Sequence, residues 1–288
     1  MYYLKVFVFR RTINYFEIIS NYMVNQLFKQ LIDAFGHIYV LTLSNRQDRR
    51  DLMNAQFDAF DIPRPDTDQN IRWFYGTPFP HNKIIADAFN ISKKGRFTKP
   101  NEYDCARNHY AIIKTAYDLG WENVLVIEDD VLFLKDTDVW NTYLYNIPTD
   151  FDILQGGGFT TDKRIHEYMK SADECVGSDA YWFKHKNVGL WNASFYALSR
   201  KGMEFYLTFM DKICFWVADG PMYKAPLSDN LINTYASRIP LTIQADKAVV
   251  LSDIRTAEND KIDYNNENEY ERDVRLEDYF SPEIIKIN

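Results

Sequence analysis

No apolar run in this chain is long enough to cross a membrane. Its most apolar stretch, at the N-terminus, is broken by Lys5, Arg10, Arg11 and Glu17, well short of the ~18 apolar residues a span requires. No small-residue cleavage site follows, so a secretory leader is not expected either. Cysteine is scarce: Cys105, Cys175 and Cys214 are odd in number and lack metal-ligand spacing. That argues against a disulfide framework and is the pattern of reduced thiols in a cytoplasmic protein. Positive charge is in deficit, with 33 Lys and Arg against 41 Asp and Glu for a net −8. Duplex-binding proteins normally carry a basic stripe, so no nucleic-acid partner is expected. Histidine is rare too, and of the five present, His81, His166 and His185 fall in expected loops.

What is present is ample material for a core. Hydrophobic residues make up 46% of the 288, which excludes global disorder. The aromatic load is heavy, with 20 Tyr, 20 Phe and 6 Trp. Such rings serve as stacking platforms in carbohydrate clefts, although most belong to the core. Ile13, Phe16, Ile19, Met23, Leu27, Leu31 and Phe35 recur at helical spacing. Residues 1–36 therefore read as an extension bearing an amphipathic helix that docks on the body of the protein. A partner or a membrane surface could also receive it, but its polar face carries less Lys and Arg than lipid-bound helices show.

The body alternates strands and helices. Residues 37–43 predict a strand, 48–60 a helix ended by Pro63 and Pro65, and 71–75 a second strand. Residues 76–100 form a long loop of the kind that more often serves function than accident. A helix over 102–119 stops at Gly120, and Cys105, His109, Ile112, Ile113 and Ala116 share one of its faces. A strand follows at 124–127, completing the strand–helix–strand–helix–strand order of an α/β nucleotide-binding half. Further strands are expected at 152–155, 190–198, 241–244 and 248–251, and helices at 200–210 and 230–236. Gly156, Gly157 and Gly158 allow a close backbone approach, although a flexible turn is the commoner explanation. Residues 159–188 form an irregular acceptor-facing loop. From 255 to 288 the chain is an acidic, Asn-rich tail.

The stretch that carries chemistry is Val124-Leu-Val-Ile-Glu-Asp-Asp130. Four apolar residues, three of them β-branched, read as a strand buried on both faces. Glu128, Asp129 and Asp130 follow at its carboxyl end, where open α/β sheets bind ligands. Three adjacent carboxylates repel unless a cation neutralises them. A hard divalent ion with a phosphate ligand is the simplest partner. The plain alternative is a strand running into a solvated acidic turn.

Four segments in order resemble the family 25 glycosyltransferases, a group that includes lipooligosaccharide and collagen galactosyltransferases. They are Ile38–Leu43 with Arg46, Arg49 and Arg50; Glu102-Tyr-Asp-Cys105-Ala106-Arg-Asn-His109; Ile127-Glu-Asp-Asp-Val131; and Ala193–Arg200 followed by Ser228-Asp229. Gln244 and Ser252-Asp253-Ile254 extend the likeness, which covers residues 37–254. Thr42 stands where the family usually has Asn, and Asn108 where it usually has Ser.

The resemblance implies an α/β fold of GT-A type, a Rossmann-like mixed central sheet flanked by helices, over residues 37–254. It also implies a metal-dependent, inverting transfer of a hexose, galactose or glucose, from a UDP-sugar to a glycan or glycoprotein, as in lipopolysaccharide synthesis. Asp130, with Asp129, would hold Mn²⁺ or Mg²⁺, and Glu128 would face the ribose or the metal shell. Asp229 is the candidate general base, with a helix N-cap as its local alternative. Thr42, Leu43, Arg46 and Arg49 would hold the donor at the end of the first strand, unless Arg49 pairs with Asp48 or Glu122 at the surface. His109 either lines the donor site or is a satisfied core residue. Glu102 caps its helix or touches donor hydroxyls, and Cys105 packs. Trp182 and Trp191 could stack on an acceptor sugar or be core. Two other classes compete: an inactive carbohydrate- or nucleotide-binding module, and a metal-dependent phosphoesterase, for which histidine is too sparse.

Overall fold

The computed structural model describes residues 27–77, 100–157, 175–176, 181–184, 193–212, 217–227 and 231–244. Residues 13–26 of the expected N-terminal helix, Trp191, Ser228-Asp229, the 248–251 strand and the acidic tail lie outside them. Among the described residues no helix is long and apolar enough to cross a membrane.

Strand parity sets up two cores. In β1 (Ile38–Leu43) and β3 (Asn123–Glu128) every apolar residue except Leu43 finds a core cluster on one face or the other. Ile38, Val40, Leu125 and Ile127 face a cluster with Met53, Phe57, Phe133 and Trp140. Tyr39, Leu41, Val124 and Val126 face a second, with Ala106, Ile112, Ile113, Met203 and Tyr206. Alternate side chains of a strand point to opposite faces, so a continuous apolar run is the signature of a sheet covered twice. Each large side chain so buried contributes about 1.5–3 kcal/mol.

The first face is covered by a helix over residues 27–35 (α1), by α2 (Gln47–Ala59) and by α4 (Thr137–Tyr145), which Asp136 caps through the backbone N–H groups of Asp138 and Val139. Leu27, Leu31 and Phe35 of α1 are buried in the first cluster. The second face carries α3 (Pro100–Asp118), α5 (Arg200–Lys212) and the short α6 (Gly220–Lys224). Gly120 ends α3 as expected, at φ +76°, a conformation glycine adopts without strain.

Among the described residues the main sheet has eight strands, in the order β2-β1-β3-β8-β5-β9-β7-β6. Its β2 (Ile71–Gly76), β1 and β3 are parallel, and β8 (Phe195–Ser199) runs antiparallel between β3 and β5 (Ile153–Gln155). A two-stranded ribbon pairs β4 (Val131–Phe133) with β10 (Thr242–Gln244). This is a mixed α/β sheet flanked by helices, with the parallel half at one side.

Three elements differ from the sequence expectation. The helix expected at 230–236 is instead β9 (Thr234–Ser237), parallel to β5 and antiparallel to β7 (Trp182–Lys184). All four β9 residues are buried, and Asn233 is tied by its backbone N–H to Asp152 Oδ2 at 2.8 Å. Packing between two strands overrides the local helix signal. Within the expected loop 159–188 lie β7 and β6 (Cys175–Val176). Trp182 is core, not a sugar platform: it is buried and its indole N–H donates to the Tyr143 carbonyl at 2.9 Å.

The glycines leaving β5 are there for close approach. A Cβ on Gly157 would lie 2.3 Å from Thr242 Oγ1 and 3.0 Å from Phe195 Cβ, and one on Gly156 would lie 2.7 Å from the Phe195 ring. Gly157→Ala is expected to lower the urea-unfolding free energy by about 1–3 kcal/mol, the usual cost of forcing an atom into a packed site. An unchanged midpoint would show that the neighbours yield freely.

Candidate active site

The carboxyl ends of β1 and β3 open between α2 and α3, and parity decides what each acid meets. Glu128 follows Val126 by two and falls on the α3 side, where His109 Nε2 lies 3.0 Å and Cys105 Sγ 3.8 Å from its Oε1. Asp129 turns to the α2 side, where Arg49 Nη1 donates to its Oδ1 at 2.9 Å. The same nitrogen lies 3.3 Å from Asp130 Oδ2. One guanidinium thus bridges two of the three carboxylates. Sequence alone left Arg49 a surface alternative beside Asp48 or Glu122, but its side chain is buried, 8% exposed, against Asp129.

The neighbouring arginines hold the turn that delivers Arg49. Arg46 Nε and Nη2 reach the Asp48 carboxylate at 3.0 and 2.8 Å. Arg50 donates to the carbonyls of Leu43 and Ser44 at 2.5 and 3.0 Å, closing the chain between β1 and α2. Two helical turns beyond Arg49, Gln56 bonds both Val131 O (2.9 Å) and Phe133 N (2.7 Å). Its amide acts as one rung of a ladder on β4 and clamps the strand that follows the acids. Sequence reasoning missed Gln56, a buried polar residue on an apolar helix face.

Of the other donor candidates, Thr42 is buried and its hydroxyl favours the ionised form of Asp129. Leu43 is half-buried at the strand end and Glu102 half-buried in the first turn of α3. His109 is fully buried, so it stands behind Glu128 and not on the cleft wall. Its Nδ1 lies 2.8 Å from the Tyr196 hydroxyl on β8. Asn108 accepts from the Thr77 N–H at 3.1 Å and so ties the end of β2 to α3. Asp229 lies outside the described residues.

The electrostatics separate the acids. Burial pushes the Asp129 carboxyl up, opposed first by Arg49 and then by the Thr42 hydroxyl. Burial acts on Glu128 in the same sense, but the hydrogen bond from His109 and then the charge of Arg49 hold it below the ordinary glutamate range. The Cys105 thiol is driven well up, first by burial and then by the charges of Glu128, Asp219 and Asp130, in that order. Asp219 is a further carboxylate whose charge reaches Cys105, and sequence reasoning did not single it out. Tyr206 also feels its charge and donates to the adjacent Ala218 carbonyl at 2.8 Å. Asp219 stands at the N-cap of α6, yet its side chain does not cap it.

Two groups could hold a cation. The ligand atoms of Cys105, His109 and Glu128 lie within 4.8 Å of one another, a soft donor set that would suit zinc. They already satisfy each other by hydrogen bonds, and a thiol held in its neutral form is a poor ligand. The Asp129–Asp130 pair is the better fit to a hard ion. Asp129 Oδ2 is buried with no hydrogen-bond partner, and Asp130, 13% exposed, is its neighbour toward the cleft.

Comparisons with known proteins agree with this geometry at the level of the sequence family. The sequence model described as "Glycosyltransferase family 25 (LPS biosynthesis protein)" matches residues 35–219. A comparison with curated protein sequences gives no match. Among solved structures, mannose-1-phosphate geranyltransferase from Thermus thermophilus is similar at 12% identity and TM-score 0.35, covering 74% of this chain and 76% of its own. A glycosyltransferase involved in glycosylation of the PBCV-1 major capsid shows 9% identity and TM-score 0.30, over 61% and 67%. Mouse xyloside xylosyltransferase 1 shows 7% identity and TM-score 0.33, over 68% and 83%.

Proposed function

This chain belongs to glycosyltransferase family 25, and on that premise we propose that it transfers a hexose from a UDP-sugar to a glycan or glycoprotein, with inversion and with a divalent metal. The observation that carries the reading is the acid triad at the carboxyl end of β3, held from two sides by Arg49 and His109.

Each part of the reaction has a residue to serve it. The leaving diphosphate needs positive charge, and Mn²⁺ or Mg²⁺ held by Asp130 and Asp129 would supply Lewis-acid neutralisation there. Arg49, bonded to Asp129 and 3.3 Å from Asp130, offsets part of the repulsion between the two carboxylates. Glu128 offers a fixed acceptor for a donor hydroxyl, and Thr42 and Leu43 line the strand end where nucleotides bind in α/β sheets. The acceptor hydroxyl needs a general base. The resemblance nominates Asp229. Asp219 is a second candidate, because its charge acts on Cys105 beside Glu128.

Titration calorimetry with UDP, UDP-galactose and UDP-glucose, with and without Mn²⁺, tests the reading. Metal-dependent nucleotide binding is expected, weakened at least tenfold by Asp130→Asn, about 1.4 kcal/mol. No binding of any nucleotide sugar would sink it. Binding without metal dependence, and without effect of Asp130→Asn, would remove the metal from the proposal. A module that binds UDP tightly but never releases sugar would be the inactive relative.

A further inference from the structure

We infer that Tyr196 is a positioning residue, which fixes the His109 tautomer so that Glu128 is presented to the sugar donor through its Oε2 atom. The inference deepens the transferase reading, since the ligand it assigns to Glu128 rests on that reading. The observation is a three-member chain crossing the α3 side of the sheet. The Tyr196 hydroxyl lies 2.8 Å from His109 Nδ1, and His109 Nε2 lies 3.0 Å from Glu128 Oε1. Tyr196 and His109 are fully buried, while the Glu128 side chain keeps 17% exposure.

The direction of the chain follows from what each member can donate. A glutamate carboxylate only accepts, so His109 Nε2 must carry the proton of that bond. With the ring neutral and its proton on Nε2, Nδ1 is left as an acceptor, and the Tyr196 hydroxyl is the donor that fits it. A second ring hydrogen bond of this kind is what selects a histidine tautomer. Among the described residues, the side-chain contacts of Glu128, from His109 and from Cys105, both fall on Oε1. Oε2 is the atom left for a ligand at the mouth of the sheet. Rotation about the terminal carboxyl torsion would exchange the two oxygens, and the pair of donors on Oε1 restrains it.

Geometry also explains why this job falls to residues so far apart. Tyr196 pairs with Val126 across the β3–β8 ladder, so its side chain shares the α3 face with Val126 and, two residues on, Glu128. His109 comes down from α3 between them. The relay is therefore a consequence of sheet register, which one-residue slippage would abolish.

The test combines a spectrum with a binding measurement. In ¹⁵N-histidine NMR of the whole protein, His109 is expected to show a protonated Nε2 and an unprotonated Nδ1. In Tyr196→Phe that tautomer should lose its preference, and the Kd for UDP-sugar should rise about fivefold with kcat changed less than twofold. His109→Gln, whose amide can still donate to Glu128, should bind donor more tightly than His109→Ala. Should wild-type His109 carry its proton on Nδ1, or should Tyr196→Phe bind donor as tightly as wild type, the inference is overturned. A merely structural role for Tyr196 would lower the melting temperature without moving the tautomer or the Kd–kcat split. If wild-type protein binds no nucleotide sugar, the transferase reading and Glu128's ligand fail together, and the spectrum alone decides the relay.

Discussion

Asp219→Asn is expected to slow sugar transfer by about 10²–10⁴-fold, the contribution of a positioned general base. An amide is nearly isosteric with the carboxylate but cannot take the acceptor's proton. The loss should therefore appear in kcat and leave the calorimetric affinity for nucleotide nearly intact. Asp229→Asn is the informative companion, because the two aspartates are supported differently. Asp229 stands in the position the family resemblance suggests, whereas Asp219 lies among charges that include Glu128 and Asp130. Transfer measured under saturating donor decides between them: an inactive Asp229→Asn beside an active Asp219→Asn would give the role to Asp229.

Arg49→Met should destabilise the fold by about 3–5 kcal/mol, the usual consequence of removing one partner of a buried ion pair. At about 2–4 °C per kcal/mol that is a fall in melting temperature of roughly 6–20 °C. Arg49 and Asp129 are both nearly inaccessible, at 8% and 5% side-chain exposure, so little solvent screening softens the loss. In Arg49→Met/Asp129→Leu most of the stability should return, because an apolar pair of similar volume substitutes well for a buried ion pair. The deficit should also depend on pH. Burial already raises the Asp129 carboxyl against the pull of Arg49, and without the arginine it rises further. A carboxyl raised in the folded state contributes stability that is complete below its unfolded value and is lost as pH rises through its folded value. The single variant's deficit should thus be largest near neutral pH and shrink on acidification. Urea melts at pH 5 and pH 7.5 check this, and equal deficits at the two would show that Asp129 does not carry the effect.

Much of the architecture was legible because it is local. The parity of Val124–Ile127 announces a strand covered on both faces, Gly120 stops α3, and the acids fall at a strand's carboxyl end by simple adjacency. The failures were also physical. Residues 230–236 carry a helix cap pattern, but β9 forms because β5 and β7 flank it. The short α6 and the ribbon strand β4 offer too few residues for periodicity to show.

The candidate site divides along the same line. The sequence by itself determined the inventory: three consecutive carboxylates after a buried strand, an arginine-rich turn after the first strand, and a histidine four residues beyond a cysteine on one helix face. Those are patterns within a strand or two helical turns, where covalent geometry dictates which side chains share a face. Only the tertiary structure decided that Arg49 meets Asp129 across 80 residues of chain and that His109 meets Tyr196 across 87. Sheet order and register place these partners, and both depend on packing of the whole domain rather than on the preferences of any one segment.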